Sequence, residues 1–264
     1  MSQSPRREFI KHTLFATLLT GMAPFELFAA KNATSTVSDV AAKDSDLTFL
    51  FQGDSITDGN RGRTDWDLNH IMGHGYAFTI ASRVGADFPE KHLKFINKGI
   101  SGNKVTDLAA RWKADALDLK PDVLSILVGI NDCNAFLADP AKGVSPEQYE
   151  QVYRQLLDES RAQNPHLLMV IGEPFTLPYG GTEGDTNPRV ADVKKRQEIA
   201  RRLARDYNAV FVPFQQVFND ALKRAPEKYW IWDHVHPTVA GHELMAREWL
   251  KQVSSRLKFL KKEY

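Results

Sequence analysis

The feature that most restricts this chain is the order of its apolar segments. Five short apolar runs lie at residues 47–52, 94–97, 123–128, 167–172 and 209–212. Longer stretches with helical periodicity separate or follow them, at 76–88, 105–119, 146–164, 189–207, 214–224 and 239–257. A strand that is apolar on both faces must be covered on both, and parallel strands need the long crossovers that helices supply. The pattern therefore predicts a three-layer α/β/α sandwich, flavodoxin-like, around a central, mostly parallel five-stranded sheet. No internal repeat or low-complexity tract interrupts it, so residues 46–264 are expected to form one domain.

In such sheets ligands bind beyond the carboxyl ends of the strands. Polar clusters fall there: Gly53-Asp-Ser-Ile-Thr57 after the first run, Gly99-Ile-Ser-Gly102 after the second and Gly129-Ile-Asn-Asp132 after the third. Ser55 can project its hydroxyl into the cleft, although a serine in such a turn equally serves as a helix cap. To act as a nucleophile it needs a base. The loop Asp233-His-Val-His236-Pro237 supplies a carboxylate that can hold one imidazole nitrogen while the other faces outward. Asp-x-x-His also arises by chance, so the pair gains weight only beside the serine. Gly102 lets a backbone N–H approach closely and Asn131 offers an amide N–H, both suited to an oxyanion; a turn glycine and an Asx turn are the plainer alternatives. Asp54 and Asp132 are assigned to structural hydrogen bonds.

Other chemistries find less support. His234 and His236 form H-x-H without a third and fourth ligand in view, and His70 and His74 have zinc-helix spacing but lack the glutamate and contain Gly73. No metal or other cofactor is implied. Gly99-Ile-Ser101-Gly-Asn103 fails the last position of the nucleophile elbow, and no phosphate-binding loop is present. Of the 264 residues 42% are hydrophobic, enough for a core that needs no disulfide, and Cys133 is the single cysteine. A formal net charge of +1 points to no nucleic-acid or anionic-membrane partner.

Residues 1–30 read as an export signal. Pro5-Arg-Arg-Glu-Phe-Ile-Lys11 resembles the twin-arginine pattern and precedes a mostly apolar run at 13–28, which Gly21, Pro24 and Glu26 make unsuitable for a stable membrane span. Residues 31–45 are expected to be a linker. The expected location is periplasmic or extracellular, with no stable membrane insertion after signal removal. Nothing in the sequence excludes a homo-oligomer.

In combination, Gly-Asp-Ser, a later glycine, Gly-x-Asn-Asp and Asp-x-x-His, in this order after successive strands, resemble the SGNH (GDSL) hydrolase family over residues 47–257. Within it the wording is most similar to bacterial acetylxylan-type carbohydrate esterases, through 53–58, 97–103, Arg111-Trp112, 128–132 and 232–241. The resemblance implies a serine esterase with Ser55 as nucleophile, His236 as base and Asp233 behind it. The Ser55 and Gly102 N–H groups and the Asn131 amide would form the oxyanion hole. It implies hydrolysis of small acyl, chiefly acetyl, esters on a small molecule or polysaccharide. Trp232, Trp66 and His70 are candidate substrate contacts, and the loop 66–75 and the glycine-rich insertion 179–188 depart from the family pattern. The rivals are a lysophospholipase or thioesterase on the same scaffold and a non-catalytic carbohydrate-binding protein.

Overall fold

The first strand, β1 (Thr48–Gly53), lies inside the sheet, between β2 (Lys94–Asn97) and β3 (Val123–Leu127). β4 (Leu168–Gly172) and β5 (Val210–Val212) extend the sheet beyond β3, giving the order β2-β1-β3-β4-β5. Every pairing is parallel, where the sequence led us to expect a mostly parallel sheet. The computed structural model describes residues 45–64, 66–177 and 186–264. The stretch 1–30 expected to be an export signal, almost all of the expected linker 31–45 and most of the insertion 179–188 lie outside them.

Side chains alternate across the sheet and so build two cores. Phe49, Phe51, Val123, Leu127, Val170 and Val212 face a layer made by α2 (Tyr76–Asp87), α7 (Phe214–Ala221) and α9 (Val239–Val253). Leu50, Leu124, Ile126, Met169 and Ile171 face α3 (Val105–Asp115), α5 (Pro146–Gln163) and α6 (Pro188–Asp206). Each layer is centred on a fully buried tryptophan whose ring nitrogen is satisfied. Trp249 Nε1 donates to Ser125 Oγ (3.0 Å), and Trp112 Nε1 donates to Ser160 Oγ (3.1 Å). Truncating a core aromatic of this kind costs about 3–5 kcal/mol.

The helices begin where local chemistry dictates. Ser145 caps α5 with a reciprocal Ser145/Gln148 pair of bonds and Pro146 in the first turn; Asn187 caps α6 by accepting from the Arg189 N–H, with Pro188 next. α4 (Ile130–Ala138) was not expected, because its buried face carries Asp132 and Cys133 beside Ile130 and so lacks an apolar stripe. The stretch 105–119 ends as an α-helix at Asp115 and finishes in a 3₁₀ turn, Leu117–Leu119. Two short helices, α1 (Ser55–Asp58) and α8 (Glu227–Trp230), flank the regions that carry polar chemistry. Among the described residues no helix is long and apolar enough to cross a membrane.

Candidate active site

The chain leaves β1 toward β2 on one side and later returns to β3 on the other, so the strand order reverses between β1 and β3. Such a switch point opens a crevice at the carboxyl ends of the strands. Gly53 ends β1 there with φ +157, and a Cβ on it would meet Leu127 O at 2.2 Å; only glycine lets the two strands approach this closely. Asp54 then caps α1 by accepting from the Ile56 N–H (3.0 Å), which puts Ser55 at the first helical position. The capping role considered for the serine thus belongs to its neighbour.

The loop after α8 brings the base to this serine. Ile231 and Pro237 form an antiparallel bridge, and Trp232 N–H donates to His236 O (3.1 Å), closing a tight loop between them. One carboxylate shapes that loop from within: Asp233 Oδ1 accepts from the N–H groups of His236 (2.7 Å) and Val235 (3.2 Å). Its Oδ2 lies 2.6 Å from His236 Nδ1, and His236 Nε2 lies 2.7 Å from Ser55 Oγ. An ionised Asp233 accepts from Nδ1–H, which leaves Nε2 free to accept from the serine hydroxyl. Partial burial raises the Asp233 pKa, but the bonds from the His236 backbone and ring and from the Val235 N–H outweigh it and hold the pKa below the usual carboxylate range. Ser55, His236 and Asp233 are therefore brought together as the sequence led us to expect.

The oxyanion candidates lie on the neighbouring loops. Gly102 has φ +83, and a Cβ there would meet nothing within 4 Å. Its left-handed backbone is a conformation that favours glycine, and the space beside it is open. Asn131, in the first turn of α4, donates from Nδ2 to Asn103 O (3.2 Å), which turns its amide nitrogen toward the 102–103 segment. That bond uses one of the two amide hydrogens. Asp54 and Asp132 are both buried, as structural carboxyls: Asp132 Oδ1 accepts from the Val105 N–H (3.0 Å). Burial pushes Asp132 up to about 6 and Asp54 up to about 7, the latter raised further by the charge of Asp132.

The substrate candidates divide. Trp232 is 62% exposed and stacks on the His236 ring, with centroids 5.7 Å apart and planes 23° from parallel. Trp66 is 82% exposed, and His70 Nδ1 pairs with Asp67 Oδ2 at 2.7 Å. Among the described residues no contact brings Trp66 or His70 to Ser55, Asp233 or His236. The first histidine of the H-x-H pair, His234, is buried and pairs with Glu227.

Several supporting residues escaped the sequence reading. His242 on α9 accepts from the Tyr76 N–H through Nδ1 (3.1 Å) and so caps α2, whose own N-cap, Gly75, has no side chain. Burial, then the charge of His236, lowers the His242 pKa to about 4, so this ring stays neutral and an acceptor. Asp58 and Asn97 bind the turn that carries Gly102; both lie in the stretches 53–58 and 97–103 that carried the resemblance, but the sequence reading gave them no role.

Comparison with known proteins gives the family of this chain. Residues 51–244 match the model of the GDSL-like Lipase/Acylhydrolase family. An acetylxylan esterase from Geobacillus stearothermophilus is 36% identical over 209 residues, which cover 78% of this chain and 93% of that protein. A crystal structure of an acetylxylan esterase from the same organism superposes with a TM-score of 0.72 at 33% identity, over 80% of this chain and 96% of the other. A candidate GDSL-like lipase from Parabacteroides merdae gives a TM-score of 0.75 at 39% identity, over 80% and 97% of the two chains. With most of its length matched and its fold shared, this chain belongs to the GDSL-like lipase/acylhydrolase family of carboxylic-ester hydrolases.

Proposed function

We propose that the protein removes short acyl groups, chiefly acetyl, from carbohydrate esters through a Ser55–His236–Asp233 triad and a covalent acyl-enzyme. The observation that carries this is the unbroken hydrogen-bonded relay from Ser55 Oγ through His236 to Asp233. His236 Nε2 takes the hydroxyl proton as Oγ attacks the ester carbonyl, and the imidazolium is stabilised by the depressed, ionised Asp233. The carbonyl oxygen becomes an oxyanion that accepts from the N–H groups of Ser55 and Gly102 and from the Asn131 amide. His236 then returns the proton to the departing alcohol oxygen. Water, deprotonated by the same nitrogen, attacks the acyl carbon; Ser55 Oγ leaves, taking back the proton from His236, and the acid is released.

Relatives support this assignment. Crystal structures of catalytic mutants of the Geobacillus acetylxylan esterase carry alanine in place of a serine, of an aspartate, and of a histidine three positions after that aspartate. The relay in this chain has the same three residue types with the same aspartate-to-histidine spacing. A tryptophan immediately before the aspartate is substituted in another structure of that enzyme. Trp232 occupies the equivalent place here, where its exposed ring offers a stacking wall for a sugar.

Acyl length tests the substrate assignment. On this reading the exposed Trp232 ring walls a site for a short acyl group, so extra methylenes would have nothing to bury against, whereas a lipase gains roughly 0.8 kcal/mol per CH₂. The expected result is that kcat/KM falls from acetyl to butyryl to octanoyl nitrophenyl esters and that acetate is released from acetylated xylan. Preference for octanoyl would replace this substrate reading with a lysophospholipase or thioesterase while leaving the relay untouched.

A further inference from the structure

We propose that Asp58 is a positioning residue for the oxyanion hole: its carboxylate clamps the 99–102 turn onto the end of α1, and Arg63 ties the segment after α1 into the same clamp. The proposal rests on the reading of Gly102 as an oxyanion donor.

Asp58 is 1% exposed, yet its two oxygens accept from five donors. Oδ2 takes the Ser101 N–H (3.0 Å), the Ser101 hydroxyl (3.0 Å) and Arg63 Nη2 (2.7 Å). Oδ1 takes Arg63 Nη1 (3.1 Å) and the Arg61 N–H (3.1 Å). Burial alone would raise the pKa of this carboxyl, but the bonds from Arg63, Ser101 and the Arg61 backbone outweigh it and keep the pKa below the ordinary value. The Asp58 carboxylate thus holds the residue directly before Gly102.

The N–H groups on either side of Gly102 are both fixed, that of Ser101 on Asp58 and that of Asn103 on Ile100 O (3.1 Å). Upstream, the Gly99 N–H is held by Asn97 Oδ1 (2.9 Å), Gly99 O accepts from Arg61 Nε (3.0 Å) and the Ile100 N–H reaches Gly53 O (3.1 Å). Asn97 Nδ2 in turn donates to Thr57 O (2.7 Å) and Met72 O (2.9 Å). The plane of the peptide that carries the Gly102 N–H is therefore set before any ester arrives, and Asp58 supplies the charged anchor of that arrangement. Preorganised donors are effective because they do not have to reorient during the reaction.

The test uses kcat and KM for nitrophenyl acetate in Asp58→Asn, Arg63→Ala and Arg63→Lys, with Ser55→Ala as reference and thermal unfolding to confirm the fold. An asparagine in this place has a single acceptor oxygen and turns its NH₂ toward donors. Asp58→Asn should lower kcat by about 10–100-fold, the scale of a displacement near 1 Å. KM should stay within about threefold, because the donor acts in the transition state. Arg63 is half-exposed and its removal leaves the backbone clamp, so Arg63→Ala should lower kcat less, and Arg63→Lys should recover part of the loss. Folded Asp58→Asn with a normal kcat, or with a change in KM alone, overturns the proposal when Ser55→Ala is inactive. Should Asp58→Asn not fold, unchanged kcat in Arg63→Ala overturns it, and a loss that Arg63→Lys restores supports it. Turnover by Ser55→Ala would instead overturn the underlying assignment of the site, and the clamp with it.

Discussion

Asp54→Asn is expected to stabilise the protein in mildly alkaline solution and to leave it almost unchanged in acid. Asp54 is 1% exposed, caps α1 through a single bond to the Ile56 N–H, and titrates at about 7 against an ordinary value of 3.8. The first cause is burial; the charge of Asp132 adds to it, and the bond from Ile56 opposes it. The folded pKa lies above the unfolded one, so the contribution of this group is fully present below about pH 4 and is lost as pH rises through about 7. A rise of roughly three units at about 1.4 kcal/mol each sets a ceiling near 4 kcal/mol for the cost of holding the carboxylate buried. Asparagine caps a helix as well as aspartate does and does not ionise. Urea unfolding at pH 4, 6 and 8 should therefore show a gap between variant and wild type that grows with pH, to about 2–4 kcal/mol, since part of the shift is shared with Asp132. A gap that is flat with pH, or that widens in acid, would refute the reasoning.

Asn131→Ala should lower kcat by about 10²–10³ with KM nearly unchanged, as for a donor used in the transition state; steady-state kinetics in which KM rises and kcat is normal would make Asn131 a ground-state contact instead. Replacing Arg6 and Arg7 by lysine should leave the precursor in the cytoplasm on fractionation, as the proposed twin-arginine signal requires, and unchanged export would point to another route.

The layers of the fold were legible because most of the strands, β3 and β4 above all, are short, nearly continuous apolar runs, a pattern that suits a sheet covered on both faces. The relay was legible for a different reason: Ser55 and the Asp233–His236 pair stand next to elements that the sequence locates, so topology alone brings them to one end of the sheet. α4 was hidden because its inward face holds Asp132 and Cys133, whose burial depends on partners elsewhere. Asp58, Asn97 and His242 were hidden for the same reason. The bond from His242 to the Tyr76 N–H spans 166 positions, and no local spacing announces it. Gly102 stands out in the sequence by its place after β2, whereas its left-handed φ of +83 is visible only in the structure.

Turnover of nitrophenyl acetate by Ser55→Ala beside wild type tests the central claim most directly. Without Oγ the His236–Asp233 pair has no nucleophile to activate, and triad losses run to several orders of magnitude. The account predicts a folded variant whose kcat has fallen by about 10³-fold or more. A folded Ser55→Ala that keeps more than about a tenth of wild-type turnover would contradict it, because so small a loss is incompatible with removal of the nucleophile.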